Sequence, residues 1–272
     1  MWIGRRQFLR HSACCLAGGT ALYRALLGAA HAGDAQVIAP QRTHRPARAN
    51  HLIFVFLTGG FSHLDTFDVA NGLMREAPEA FDVSRESDAT LGLYGIGRGD
   101  NRSFGWQCLM ARRLVERGVR VVELIDTGSH DNWDAHGDMA QHRGKAARVD
   151  RALAGLLRDL RRTGLLDDTL VAICTEFGRT PWTDNATSRG RNHFARVFTS
   201  LLAGAGVRGG MTYGETDDYG ANIVADPCHV HDYHATILHV MGIDHTRLTY
   251  RYAGRDFRLT DVYGNVVQPI LV

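Results

Sequence analysis

The sequence predicts an α/β fold built on a parallel sheet, and three observations carry that expectation. Continuous apolar runs at residues 52–57, 119–125 and 169–174 have the composition of strands buried on both faces. Amphipathic helices precede the second and third runs. Residues 107–117 gather Leu109, Ala111, Leu114 and Val115 on one side, and residues 148–162 gather Val149, Leu153, Leu156, Leu157 and Leu160. A helix followed by a buried strand, twice over, is the pattern of crossover connections in a parallel sheet. At 272 residues, 44% hydrophobic and 22% charged, the chain can fill one sizeable core, which excludes disorder, collagen and coiled coil as whole-chain descriptions.

In chain order, Gly4-Arg5-Arg6-Gln7-Phe8-Leu9-Arg10 resembles a twin-arginine export signal. A weakly apolar stretch and the small-residue site Ala30-His31-Ala32 follow, so residues 1–32 are expected to be a signal peptide. Arg24 interrupts the apolar run, which falls short of the ~20 residues a spanning helix needs, and no permanent membrane span is expected. Residues 33–50, polar and containing Pro40 and Pro46, read as a linker, and residues 51–272 as one domain. Gly118 is placed to stop the first helix. A shorter strand is expected over 197–202, a turn-rich surface excursion over 214–227, and a compact helix over 235–241 ended by Gly242. Residues 66–104, with Pro78 and several glycines, show little periodicity; an unstructured connection of that length is either functional or incomplete.

Charge points away from polyanions. Lys145 is the only lysine, and the arginines are scattered. Loss of residues 1–32 takes the formal charge from +2 to −2, so no nucleic-acid partner is expected. Beyond the signal, Cys108, Cys174 and Cys228 are too widely spaced for a thiolate metal site, and Cys174 reads as a buried small residue.

The chemistry-bearing residues follow the strands, where α/β sheets place their ligands. Ser62, His63 and Asp65 follow the first strand. His130, Asp131, Asp134, His136 and Asp138 follow the second. Glu176 and Arg179 follow the third, with Asn192 and His193 further on. Imidazoles and carboxylates from separate segments suit a divalent cation. The 130–138 cluster is the strongest of these, although Asp138 equally suits a helix cap and Trp133 a packing role. Arg179 suits either an anion or a salt bridge to a nearby carboxylate. His229, His231, Asp232, His234, His239 and His245 do not share one helix face, so Asp232 reads as a cap and His239 as a partly buried residue.

GGFSHLDTFD, CLMARRLVERGVR, NWDAHGD, LLDDTLVAICTEFGRTPW, GRNHF and the tail HDYHATILHVMGIDHTRLTYRYAGRDFRLTDVYG together resemble the domain of unknown function 1501 family, exported bacterial proteins similar to sulfatases within the alkaline phosphatase-like superfamily. The resemblance implies a doubly wound, mostly parallel sheet with helices on both faces, incomplete in its N-terminal half. It also implies hydrolysis of phosphate or sulfate esters, with a small anionic ester or a sulfated or phosphorylated glycan as substrate. Asp65, Asp134, His136, Glu176 and His193 would hold a divalent metal ion (zinc, manganese or calcium). Arg179 would neutralise the anionic group, and Ser62 and Thr66 are fallback candidates for the nucleophile. Glu176-Phe177 departs from the acid-histidine pair of alkaline phosphatases, and the Cys-x-Pro-x-Arg sulfatase signature does not occur. The twin-arginine translocase is the expected export partner, with a periplasmic or extracellular destination. The alternative is a non-catalytic binding protein that keeps the fold without the nucleophile region.

Overall fold

Residues 51–57, apolar from Leu52 onward, form a central strand of the sheet. The computed structural model describes residues 44–57, 78–126, 133–183 and 187–272. The twin-arginine segment and the residues from 58 to 77, including Ser62, Asp65 and Thr66, lie outside the described residues. The described residues fall into two compact units, one from Arg48 to Cys228 together with Val267–Val272, and one of residues 44–47 together with His229–Val266.

In the larger unit, β1 (His51–Leu57) pairs in parallel with both β2 (Val121–Asp126) and β3 (Thr169–Cys174). The sheet's fourth member, β6 (Leu201–Gly204), lies antiparallel on the far side of β3, giving a mixed α/β architecture with a mostly parallel sheet. Register puts Ile53 beside Val122 and Val171, and Val55 beside Leu124 and Ile173. These residues form one core cluster with Leu109, Val115, Leu156 and Leu160 of the helices. The alternate positions Leu52, Phe54 and Phe56 are half-buried, so β1 is fully buried on one face only, whereas β3 is buried along its whole length.

Between β1 and β2 lie α1 (Pro78–Phe81), α2 (Asp88–Tyr94) and α3 (Phe104–Glu116). The stretch that lacks periodicity is therefore structured from residue 78. Ser87 caps α2 by accepting from the Thr90 amide, and Gly95, in the left-handed region, ends it. A seven-residue helix is too short to show a helical repeat. Gly118, at φ +84°, ends α3 as expected, and the Val119 amide turns back to the Leu114 carbonyl. Those residues are used in the turn, so β2 starts two positions later than the apolar run. After β2 comes α4 (Gln141–Arg162), seven residues longer at its start than its apolar face suggested, because residues 141–147 are mainly polar. Cys108 and Cys174 are buried and Cys228 is exposed, and no disulfide joins these three.

Buried charges tie the helices together. Asp159 on α4 is fully buried; it accepts from the Tyr94 hydroxyl at 2.9 Å and pairs with Arg112 Nε at 3.0 Å and Arg162 at 2.6 Å. Arg112 also meets Glu86 at 2.7 Å and Glu116 at 2.8 Å. Its neighbour Arg113 donates to the carbonyls of Glu79, Ala80 and Asp82, fixing α1 and the turn after it. Burial and the Asp159 charge push the Tyr94 phenol well above its ordinary range, so it remains a donor.

In the smaller unit, α5 (Val230–Val240) opens with His229 as N-cap and Asp232 accepting from the His229 amide, a reciprocal capping box. Arg45 pairs with Asp244 at 3.1 Å and contacts His239, which is partly buried. Residues 249–252 and 255–258 form an antiparallel hairpin turned by Ala253-Gly254. Among the described residues no helix is long and apolar enough to cross a membrane.

Removing one partner from a buried ion pair strands the other. Asp159→Ala is therefore expected to cost about 3 kcal/mol or more in urea unfolding, as a lower midpoint at unchanged slope. Hydrogen bonds from Thr246 outweigh the small burial cost and, with the Arg45 charge, hold the Asp244 carboxyl at about 2, below its ordinary 3.8. A depressed carboxyl contributes stability that is complete above its unfolded pKa and is lost as pH falls through the folded one. Stability is expected to decline between about pH 4 and 2, and Asp244→Asn should flatten that limb in thermal melts.

Candidate metal centre

Two loops at the carboxyl ends of β2 and β3 build the site. β2 ends at Asp126, which is buried and accepts the Trp133 indole N–H at 2.8 Å. That bond anchors the start of the segment 133–138, and the ring packs edge-on against His142 at 5.2 Å, a structural role. His142 Nε2 meets the Trp133 carbonyl at 2.8 Å. Beyond β3, β4 (Gly178–Arg179) pairs antiparallel with β5 (His193–Phe194), which sets Arg179 opposite His193. Thr180 extends the pairing, its amide donating to the Asn192 carbonyl at 2.9 Å.

The two loops meet at Gly190. A Cβ there would collide with the His136 carbonyl, so only glycine lets the chain pass this close. Around the contact, Met139 N donates to Arg189 O at 3.1 Å, and Asp138 and Arg189 form an isolated parallel bridge. Asp138 accepts from the Ala140 amide at 2.9 Å and shapes the approach to α4.

This packing brings Asp134, His136 and His193 together, with one ligand atom from each all within 4.8 Å of one another. Both imidazole Nε2 atoms lie 2.9 Å from Asp134 Oδ1 and 3.1 Å from each other. His136 Nδ1 lies 3.2 Å from Asn192 Oδ1. An amide oxygen only accepts, so His136 carries its proton on Nδ1 and, when neutral, turns an Nε2 lone pair toward the carboxylate. Lone pairs from nitrogen and oxygen converging at this distance repel unless a proton or cation lies between them. The donor set therefore suits a borderline divalent ion, with the imidazole orientation fixed from the outer side. The imidazole side chains are about half exposed (48% and 47%), so one side of the trio is open to solvent.

Partial burial opposes ionisation of Asp134, but hydrogen bonds from Arg179 and His193 and the Arg179 charge outweigh it and hold the carboxyl at about 2. Arg179 binds Asp134 and donates to the Trp133 carbonyl at 3.2 Å and the Arg191 carbonyl at 3.0 Å. The anticipated salt bridge of Arg179 to a neighbouring carboxylate is formed. Phe177 lies against the His193 ring, centroids 4.1 Å apart, and 6.0 Å from the Arg179 guanidinium carbon.

Of the residues anticipated as ligands, Asp134, His136 and His193 converge, and Glu176 stands outside the trio, exposed and accepting from the Thr175 hydroxyl at 3.0 Å. Asp65 and Ser62 lie outside the described residues, as do His63, His130 and Asp131. Asn192 is named beside His193 from sequence but given no role there, and Gly190, in the same short motif, is given none either. An amide next to a ligating imidazole was the available signal.

Asn192→Ala is expected to weaken zinc or manganese binding by about 10- to 100-fold in isothermal titration. Gly190→Ala should abolish it by separating the loops while leaving far-UV circular dichroism unchanged. No curated protein and no solved structure matches this chain. Residues 69–271 match the family model described as Protein of unknown function (DUF1501), and the chain belongs to that family.

Proposed function

We propose that the protein is an exported, metal-dependent hydrolase of phosphate or sulfate esters, sulfatase-like and of the alkaline phosphatase-like superfamily. Its substrate class is a small anionic ester or a sulfated or phosphorylated glycan. The observation that carries this reading is the convergence of Asp134 Oδ1 with His136 Nε2 and His193 Nε2 at the strand ends. Two imidazoles and one carboxylate favour zinc or manganese over calcium, which prefers an all-oxygen shell. Such an ion, when bound, polarises the ester oxygen and lowers the pKa of the attacking group.

The chain's own residues do the positioning. Asn192 presents the His136 lone pair, Phe177 orients the His193 ring, and Arg179 holds Asp134. Arg179 also keeps a positive charge beside the ligand atoms, which favours an anionic ester over a neutral one. Ser62 remains the candidate nucleophile on sequence grounds. Glu176 and Asp65 are candidates for a second set of ligands, and the doubly wound topology, shortened before Ala80, belongs to the same reading. Arg5-Arg6 supports twin-arginine export to the periplasm or beyond, in which the chain takes up its metal and folds before translocation.

A second reading has its own support: Arg179 is engaged by a carboxylate and two carbonyls, which suits a binding protein that retains the ion without turnover. The test is hydrolysis of aryl phosphate and aryl sulfate by the purified protein with zinc, manganese or calcium. One ester is expected to turn over, and His136→Ala to reduce the rate by about a hundredfold or more, at least the effect of losing an outer partner. Metal binding without turnover of either ester, with any ion, replaces the hydrolase with the binding protein.

A further inference from the structure

Two hairpins on this chain carry opposite charge and exposed apolar side chains. The first comprises β9 (Thr249–Tyr252) and β10 (Arg255–Arg258) in the smaller unit. Register sets Tyr250 opposite Phe257 and Tyr252 opposite Arg255, and alternation along each strand places these four residues on one face. Tyr250 is 67% exposed, Tyr252 65% and Phe257 38%, with the Arg255 guanidinium carbon 4.8 Å from the Phe257 centroid. Residues 247–258 hold Arg247, Arg251, Arg255 and Arg258 against the single acid Asp256, which spans 3.5 Å to Arg251.

The second comprises β7 (Glu215–Thr216) and β8 (Ile223–Ala225) in the larger unit. Residues 215–226 contain Glu215, Asp217, Asp218 and Asp226 and no base. Asp217 is committed to its own loop, accepting from the Ala221 amide and Asn222, while Glu215, Asp218 and Asp226 face solvent. Tyr219 at the tip is 82% exposed and Val224 61%.

Scattered exposed apolar residues are ordinary on protein surfaces, but a contiguous patch framed by one sign of charge marks a contact site. Tyrosine and arginine are the residues over-represented at binding hot spots. Among the described residues, the acidic hairpin of the same sequence complements the basic, aromatic one in charge and in exposed apolar side chains, and each is exposed on its own unit. We propose that the chain self-associates by docking the β9–β10 hairpin of one copy on the β7–β8 hairpin of a second copy. Arginines meet Glu215, Asp218 and Asp226, while Tyr250, Tyr252 and Phe257 pack on Tyr219 and Val224. This inference is independent of the metal centre and of hydrolysis.

Sedimentation velocity of the full chain tests it. The wild type is expected to associate at low ionic strength and to weaken as salt screens the pairing. Two variants, Arg251→Glu/Arg255→Glu and Glu215→Arg/Asp218→Arg, are each expected to raise the dissociation constant by about tenfold or more. Their thermal unfolding should stay cooperative, since every substituted side chain is exposed. An equimolar mixture of the two should associate again, because each retains the hairpin that the other's intact hairpin recognises. A wild type that stays monomeric at every salt and concentration overturns the proposal, as does association that both variants retain. Salt-sensitive retention of a monomeric wild type on dextran sulfate, lost in Arg251→Glu/Arg255→Glu, also overturns it and assigns the basic hairpin to an anionic glycan.

Discussion

Parallel pairing of β1 with both β2 and β3 is the constraint on which the larger unit depends. Parallel neighbours cannot be joined by a tight turn, so the chain must return over the sheet between strands. The helices α1 to α4 do this, and they bury Ile53, Val55, Val122, Leu124, Val171 and Ile173 beneath them. The same direction of travel delivers three strand ends to one rim. β1 leads toward β2 while β3 leads away on its other side, so the connections diverge between them. Such a point is where an open sheet offers a crevice to a ligand.

The rim alone does not make a site. Trp133 is pinned by Asp126, Arg179 is pinned by carbonyls of both loops, and Gly190 lets residues 189–193 pass close over residues 135–138. These contacts bring a carboxylate and two imidazoles from sequence positions almost sixty residues apart to within hydrogen-bonding distance. Arg179 and the hydrogen bond from His193 balance the Asp134 charge, and a cation at the open side would take the place of the His193 proton.

Charge is also internal to the helical layer. Asp159, Glu86, Arg112 and Arg113 are almost fully covered, and their pairing geometry fixes α1 and α2 against α3 and α4. A pair of this kind is weak evidence for stability, because desolvation offsets most of the attraction. Its effect is to specify one register for short helices that lack the length to form unaided. Apolar packing covers the sheet, and the ion pairs decide where the helices lie upon it.

Periodicity and burial made β1, β2, β3, α3 and much of α4 legible from sequence, since each buries a stripe or run long enough to repeat. The capping role of Asp232, the helix stop at Gly118 and the buried character of Cys174 were equally local and equally readable. The helices at 78–81 and 88–94 were not, because arginines from α3, distant in sequence, hold the first of them and a cap with a left-handed glycine bounds the second. At the rim, sequence could nominate Asp134, His136 and His193 together with Glu176 and Asp65. It had no means of choosing among them. Selection of the trio, the engagement of Arg179 by Asp134 and the tautomer imposed by Asn192 were decided by tertiary structure. Coordination depends on directions and distances between side chains on separate loops, and those are set only when the backbones pack at Gly190.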